Sequence, residues 1–239
     1  IAQFEGKKDP LQDLETILGE LHDAQQKLRI QLSVLSRCID DLTPSSSARD
    51  HERIERLLNQ VELPDSENER QIVLTTLVIM RHSLALERKD LDGANFLLEQ
   101  LRGIGSSTDP LLQYLGMKTE LKAVDSEPMN AALTLRNAEL TATQLQQPLY
   151  KASLLLLICE QLAETQLPRA KTIHAQIDMY SLEAIEAPSA RRVVAKWWEV
   201  KSMFDDRDRV MSLREAILRY RSVGCPNRAR LLSRRLHSV

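Results

Sequence analysis

Apolar residues recur along this chain at the spacing of helices that bury one face. In the stretch DLDGANFLLEQL, at 90–101, steps of three and four residues return the apolar side chains to the same side of a helix. Similar stripes occur upstream and downstream of it. The stripes comprise Ile54, Leu57, Leu58 and Val61; Ala94, Leu97, Leu98 and Leu101; Ala132 and Leu135; Ala170, Ile173 and Ile177; and Val210, Leu213 and Ile217.

The helices that carry these stripes return at near-equal intervals. Their starts near residues 50, 90, 128, 167 and 207 are 40, 38, 39 and 40 residues apart. More apolar helices are predicted between them, at 71–80, 111–124, 149–163 and 190–204, and a last helix follows Pro226. A single hairpin of two such helices would leave much of its apolar surface exposed, so neighbours must stack. The pattern predicts an all-α fold, an α-α superhelix of about five antiparallel hairpins with a C-terminal capping helix.

A long N-terminal helix is predicted to form the first arm of this array. Asp9-Pro10 is a helix start, and seam positions then follow in steps of three and four up to Leu42, all apolar except Gln25, which is typical of a coiled coil. About 32 residues would span roughly 48 Å. The seam comprises Leu11, Leu14, Leu18, Leu21, Leu28, Leu32, Leu35, Ile39 and Leu42. This helix either packs within the domain or forms a dimer seam, and the predicted organisation is 1–62 followed by 63–239 in one continuous superhelix.

Local signals mark several helix starts. Ser66 and Glu69 match a capping box, while Asp90 and Asp109 are candidate N-caps. Ala94, Ala132 and Ala170 stand at the start of three stripes, where small side chains allow close approach of the paired helix, and Gly93 is interpreted in the same way.

The segments KDLDGANFLLEQL (89–101) and QLPRAKTIHAQI (166–177) resemble the second helix of a tetratricopeptide-like repeat. Repeats of that family have about 34 residues and carry Trp, Gly-Tyr and closing Pro marks that are largely missing here. The chain therefore resembles the degenerate, longer members found in scaffold subunits, such as cohesin loaders, and in the repeat domains of bacterial transcription activators. EAILRYRSVGCPNRAR (215–230) is similar to the C-terminal repeats of the fifth subunit of the anaphase-promoting complex. The resemblance implies a protein-binding scaffold.

Composition narrows the class of protein. The chain has 239 residues, of which 43% are apolar and 28% charged, enough to bury a substantial core. The apolar run at 154–159 is too short to cross a membrane, and the start IAQFEGKKDP has no apolar signal segment. Since the chain begins with Ile, a fragment or a processed product is expected. Three widely spaced cysteines argue against disulfides and indicate an intracellular protein, cytoplasmic or nuclear.

No pattern of catalytic or metal-binding residues stands out. The segment RGIGSS, at 102–107, lacks the Lys-Ser/Thr pair of a phosphate-binding loop, and a helix C-cap explains its glycines better. The five histidines lie on different predicted helices, and none has a second histidine three or four residues away to form a metal-binding pair. The run DDRDR, at 205–209, is most simply a solvated helix start. We therefore predict a protein that is not an enzyme and has no metal or cofactor.

Charge is concentrated at the C-terminal end. Residues 207–239 contain nine Arg and two acidic residues, a balance of +7, so 1–206 carry −9 of the total of −2. Arg228, Arg230, Arg234 and Arg235 on the last helix are candidate partner-binding residues for an acidic segment or a phosphate backbone; a solvated polar cap is the alternative. A pI near 6.3 argues against extended nucleic-acid binding.

Trp197 and Trp198 are further candidate partner-binding residues. Adjacent positions on a helix point about 100° apart, so one ring is expected in the core and the other at a groove.

These observations favour a non-enzymatic scaffold that binds a protein segment, acidic or helical, with self-association through the helix from Leu11 to Leu42 as a further expectation. A different hypothesis is the sensor or effector arm of a larger regulatory, transcriptional protein. An RNA-reading helical repeat would need repeated polar pairs and a basic groove, and neither is apparent.

Overall fold

A computed structural model describes residues 23–106, 108–124, 128–204 and 207–238, and every regular element in these ranges is helical. The described helices form two compact units, which divide between Leu101 and Arg102. The helices are α1 Ala24–Asp40, α2 Ala48–Asn59, α3 Glu67–Glu87, α4 Leu91–Ile104, α5 Pro110–Ala123, α6 Ala131–Gln144 with a 3-10 turn Pro128–Asn130 before it, α7 Pro148–Leu162, α8 Leu167–His174, α9 Met179–Glu183, α10 Pro188–Lys201, α11 Arg209–Ser222 and α12 Pro226–His237. The predicted all-α fold is confirmed, and consecutive helices pack against each other within each unit.

The predicted N-terminal helix is shorter than expected within the described residues. Asp23 has extended backbone angles, φ −82° and ψ 112°, and its carboxylate accepts hydrogen bonds from the amides of Gln25 and Gln26 at 2.9 and 3.1 Å. It therefore caps α1, so a continuous helix through residue 23 was a wrong prediction, because Asp satisfies first-turn amides better than it continues a helix. The part of the seam at 9–22 lies outside the described residues.

The remaining half of the seam lies inside the first unit. Leu35, Ile39 and Leu42 are 0%, 3% and 3% exposed, which leaves them no surface for a second copy. Helices α1, α2 and α3 pack pairwise around them. The buried side chains of this core are Leu35, Ile39, Leu42, Ile54, Leu57, Leu58, Val61, Val73, Leu77, Met80 and Leu84.

Two predicted caps are confirmed and one is corrected. Asp109 accepts a 2.8 Å hydrogen bond from the amide of Leu111, and Asp90 accepts one of 2.9 Å from the amide of Gly93. Ser66 precedes α3 but its side chain makes no capping hydrogen bond, so the predicted box there was wrong. The capping box is formed instead by Ser47 and Asp50 at the start of α2.

A side chain at Gly93 would meet the cap of its own helix rather than a neighbouring helix. A Cβ at this position would lie 2.3 Å from Oδ2 of Asp90, the residue that caps the same helix. Close approach of the paired helix, the predicted reason, is served by Ala94 and Ala170, which are fully buried. Ala132 is exposed, and Ala138 and Ala142 are the small buried residues of α6.

The second unit is built from three successive hairpins, α5–α6, α7–α8 and α10–α11, with α12 packed on α11. The first helices of the hairpins form a row in chain order, since α5 contacts α7 and α7 contacts α10. Helix α7 lies at the centre of this row and is apolar on nearly all sides. Its buried residues are Ala152, Leu154, Leu155, Leu156, Ile158, Cys159 and Leu162. The short helix α9 is an element that the sequence did not predict.

Among the described residues, no helix is long and apolar enough to cross a membrane.

Candidate functional site

A cluster of charged and polar side chains is buried where α7, α10 and α11 meet. The Lys196 ammonium contacts Oε1 of Glu160 and lies 3.3 Å from Oε2 of Glu199. The hydroxyl group of Tyr220 donates a 2.7 Å hydrogen bond to the same oxygen of Glu199. Glu199 and Tyr220 are 5% and 3% exposed, whereas the side chains of Lys196 and Glu160 are 21% and 27% exposed, so the network extends from the core of the second unit toward its surface.

The ionised forms of Lys196 and Glu199 are each stabilised by opposite charges nearby. Burial alone would raise the pKa of Glu199, but Lys196, Arg228 and the Tyr220 hydroxyl outweigh it and hold this pKa below its ordinary value. Burial would lower the pKa of Lys196, and the carboxylates of Glu160 and Glu199 raise it instead. Burial and the Glu199 charge raise the pKa of Tyr220 well above its ordinary range. At neutral pH Lys196 is therefore an ammonium, Glu199 a carboxylate and Tyr220 a neutral phenol.

This arrangement ties helices together and lacks the properties of a reactive centre. A lysine acts as a nucleophile when burial lowers its pKa, and Lys196 shows the opposite direction. Breaking a buried ion pair by removing one partner typically destabilises a protein by about 3–5 kcal/mol. The network therefore fixes the packing of the last hairpin, on which the basic C-terminal end is built.

The four arginines predicted as partner-binding residues fall into two environments. Arg228 is half-buried, and its charge lowers the pKa of Glu199, which places it beside the internal network. Arg230, Arg234 and Arg235 are exposed on α12. The sequence could not separate the first from the other three, because the face of α12 that turns inward is set by its packing on α11.

Helix α11 adds exposed arginines that the sequence analysis did not single out. Arg214 and Arg221 are exposed and, like Arg234 and Arg235, form no ion pair with a described residue. The neighbouring Arg219 is engaged by Glu183 at 3.1 Å and by Glu215 at 3.7 Å. The carboxylates of Glu183 and Glu215 are thus already paired, and the charges of Arg214 and Arg221 have no ion-pair partner among the described residues.

Trp197 and Trp198 are both half-buried, which differs from the expected division between core and groove. Their rings meet edge-to-face at 4.9 Å, and the Lys201 ammonium lies over both, 5.4 and 4.9 Å from the ring centres. His174 stacks on Trp197 at 4.4 Å and contacts Phe204 edge-to-face at 5.1 Å.

The aromatic cluster controls the protonation of its histidine. Burial lowers the pKa of His174 to about 4, and the Lys201 charge acts in the same direction, against a 3.2 Å contact of Nε2 with the Trp197 carbonyl oxygen. The imidazole is therefore neutral at pH 7 and behaves as a core aromatic ring.

A cleft of about 370 Å³ lies between α5, α6 and the end of α4. Its lining residues are Arg102, Leu112, Gln113, Gly116, Met117, Glu120, Thr141 and Gln144. Burial raises the pKa of Glu120, while the Arg102 charge opposes this rise. The described residues contain no group of three His, Cys, Asp or Glu side chains that could hold a metal ion.

Comparison of the chain with protein-family models, with characterised proteins and with solved structures gave no match.

Proposed function

We propose that this protein is a non-enzymatic scaffold that binds a protein partner through its basic C-terminal helices. The observation that carries the proposal is the set of exposed arginines without a described ion-pair partner, Arg214, Arg221, Arg234 and Arg235. Guanidinium groups left uncompensated on a packed surface favour carboxylate-rich partners.

The architecture supports this proposal. Helices that stack in chain order present long, regular surfaces, and proteins built in this way commonly bind extended or helical segments. The resemblance of 89–101 and 166–177 to tetratricopeptide-like repeats supports the same proposal, as does the similarity of 215–230 to a scaffold subunit of the anaphase-promoting complex. Intracellular action in such an assembly is part of the proposal.

The test is partner capture by the intact chain with and without charge reversal on α12. The variant carries Arg230→Glu, Arg234→Glu and Arg235→Glu. It leaves out Arg228, because reversal there would place a carboxylate beside Glu199 and disturb the buried network. A matched control carries Arg29→Glu, Arg49→Glu and Arg56→Glu, three exposed residues of the first unit with the same change in net charge.

We expect the wild-type chain and the control to retain the same proteins, identified by mass spectrometry, and the α12 variant to lose at least one of them. Retention of every protein by the α12 variant, with circular dichroism showing an intact fold, would mean that the basic end is a solvated cap. If both variants lose the same proteins, retention depends on the net charge of the chain and not on α12.

A further inference from the structure

The outward face of helix α11 combines apolar and basic side chains. At 100° per residue, Met211, Arg214, Leu218 and Arg221 fall within an arc of about 80°. We call these four residues the α11 face. The opposite side of the helix holds Leu213, Ala216, Ile217 and Tyr220, all buried against the rest of the second unit. The α11 face is therefore solvent-facing while its helix is held in place.

The two apolar residues of the α11 face are exposed to solvent. Met211 is 51% and Leu218 is 58% exposed, although the same helix buries five residues. They are separated by two turns of helix, which places both on one line with Arg214 between them. Single exposed apolar residues are common on protein surfaces, so the alignment of these two with two arginines, rather than their exposure alone, indicates a binding face.

We propose that the α11 face docks an acidic amphipathic helix of a partner protein, an inference that rests on the proposed function and specifies its site and partner class. The apolar side chains of the partner cover Met211 and Leu218, and its carboxylates pair with Arg214 and Arg221. Because the face extends over the eleven residues from Met211 to Arg221, about 15 Å along the helix, a partner helix of about three turns covers it.

Charge and apolar surface together select this partner over others. Arg214 and Arg221 have no ion-pair partner among the described residues, so an acidic segment gains pairs without breaking existing ones. A nucleic-acid backbone would use the arginines but would leave Met211 and Leu218 exposed to water. An acidic helix satisfies both kinds of residue.

Helix α6 provides an internal control for the charge requirement. Leu133, Arg136 and Leu140 repeat the spacing of Met211, Arg214 and Leu218 exactly two repeats earlier, 78 residues upstream, and both leucines are exposed, at 63% and 59%. Thr143 stands in the place of Arg221, and the neighbouring Glu139 pairs with Arg169 at 2.5 Å. The two helices thus share the apolar pattern and differ in the second arginine.

The experiment selects ligands from a displayed library of 16-residue peptides against the intact chain, then measures the affinity of synthetic copies by fluorescence anisotropy. Three double variants are compared: Met211→Ser with Leu218→Ser, Arg214→Glu with Arg221→Glu, and, as the control, Leu133→Ser with Leu140→Ser. All six positions are exposed, so the variants should fold, which circular dichroism and tryptophan fluorescence verify.

We expect selected peptides to carry Asp or Glu beside apolar residues at helical spacing. Each α11 variant should weaken their binding at least tenfold, and the α6 control should bind within twofold of the wild type. Higher salt should weaken binding to the wild type more than to the arginine variant.

The proposal is overturned by several results. These are recovery of no peptide, binding to the α11 variants that is as tight as to the wild type, a loss in the α6 control equal to that in the α11 variants, or binding of a short RNA duplex that depends on the arginines alone. A synthetic peptide of residues 9–23, which has five acidic residues and no Lys or Arg, tests the chain's own N-terminal segment as the occupant. Tighter binding of that peptide than of any selected one would also overturn docking of a separate partner.

Failure here can be told apart from failure of the proposed function. If selected peptides bind the α11 variants as tightly as the wild type, the protein is still a partner-binding scaffold, with its binding site elsewhere. The charge reversal on α12 then still tests whether the basic C-terminal helices bind the partner. If the selection recovers no peptide and the capture retains no protein, both proposals are wrong.

Discussion

Tyr220 on α11 donates a 2.7 Å hydrogen bond to Oε2 of Glu199 on α10, 21 residues away in the chain. The two residues, both buried, join the last hairpin through a charged acceptor rather than through apolar contact alone. Lys196 lies 3.3 Å from the same carboxylate oxygen. A buried carboxylate is tolerated only when donors satisfy its oxygens. Tyr220 and Lys196 are therefore both needed to stabilise the charge of Glu199.

Replacing Tyr220 by Phe should destabilise the second unit by about 1.5–3 kcal/mol, the usual contribution of a hydrogen bond to a charged group. The ring still fills its site, so the loss reports the missing hydroxyl. Both tryptophans of the chain lie in this unit, and their fluorescence during urea unfolding provides the measurement. Tyr180→Phe, at a side chain 88% exposed, should change stability by less than about 0.5 kcal/mol. Equal effects of the two substitutions would show that the bond is unimportant.

The stability of the second unit should depend on acid through Glu199. Burial raises the pKa of this carboxyl group, yet Lys196, Arg228 and Tyr220 lower it below its ordinary value. A depressed pKa in the folded state gives stability that is complete above the unfolded pKa, about 4.3, and is lost as the pH falls through the folded pKa. Wild-type protein should therefore lose free energy of unfolding more steeply than Glu199→Gln below about pH 5.

Urea unfolding by tryptophan fluorescence at several pH values between 6 and 3 checks this prediction. Glu164→Gln, at an exposed glutamate of the same unit, is the control and should follow the wild-type profile. Parallel profiles for wild type and Glu199→Gln would rule out a linkage through this residue.

A second, separate acid dependence should come from His174. Burial lowers its pKa to about 4, against about 6.5 in the unfolded chain. The folded state thus binds fewer protons, so stability is complete above pH 6.5 and falls as the pH drops toward 4, by up to about 3 kcal/mol. His174→Phe keeps an aromatic ring against Trp197 and Phe204 and should flatten the profile between about pH 6.5 and 5, where Glu199 has little influence.

The titration itself is measurable by NMR of the imidazole C–H resonances. We expect the His174 signal to shift with a midpoint near 4. His237→Gln, at an exposed position, should leave the dependence of stability on pH as in the wild type. A midpoint near 6.5 for His174 would contradict its placement in the core.

Sequence periodicity predicted most of the fold because it records burial directly. The stripes of α2, α4, α8 and α11 lie on the inner side of their helices as expected, with Leu97 and Val210 half-buried and the other members buried. The apolar face of a helix in a stacked hairpin packs against its neighbours because that removes it from water. Helix α9, Met179–Glu183, was missed because five residues are too few to establish a period. The break at Asp23 was missed because the apolar seam continues on both sides of it. The boundary near residue 62 stays a prediction.

The candidate site was less accessible to sequence reasoning. Nothing in the segment WWEVK indicates that Glu199 would be buried and paired with Tyr220, because that pairing depends on the crossing of α10 and α11. The same packing separates Arg228 from the exposed arginines of α12. The α11 face could have been predicted from the sequence. Its residues Met211, Arg214, Leu218 and Arg221 lie opposite the apolar stripe that the periodicity identified.

Gly93 and Gly103 on helix α4 should respond to alanine in opposite ways. At Gly103 a Cβ meets no atom within 4 Å, so Gly103→Ala should stabilise the helix by about 0.5–1 kcal/mol. At Gly93 the new Cβ would lie 2.3 Å from Oδ2 of Asp90, whose carboxylate also accepts a 2.9 Å hydrogen bond from the Gly93 amide. The carboxylate must move, and loss of this cap costs about 1 kcal/mol, which cancels or exceeds the gain in helix propensity.

A double-mutant cycle isolates the clash at Gly93. The three atoms nearest to the added Cβ all belong to Asp90, so Gly93→Ala should become stabilising, by about 0.5–1 kcal/mol, once Asp90 is replaced by Ala. Hydrogen exchange of the α4 amides gives the free energy of opening for each variant. A Gly93→Ala effect that is the same with and without Asp90 would mean that neighbouring packing, rather than the cap, requires glycine at this position.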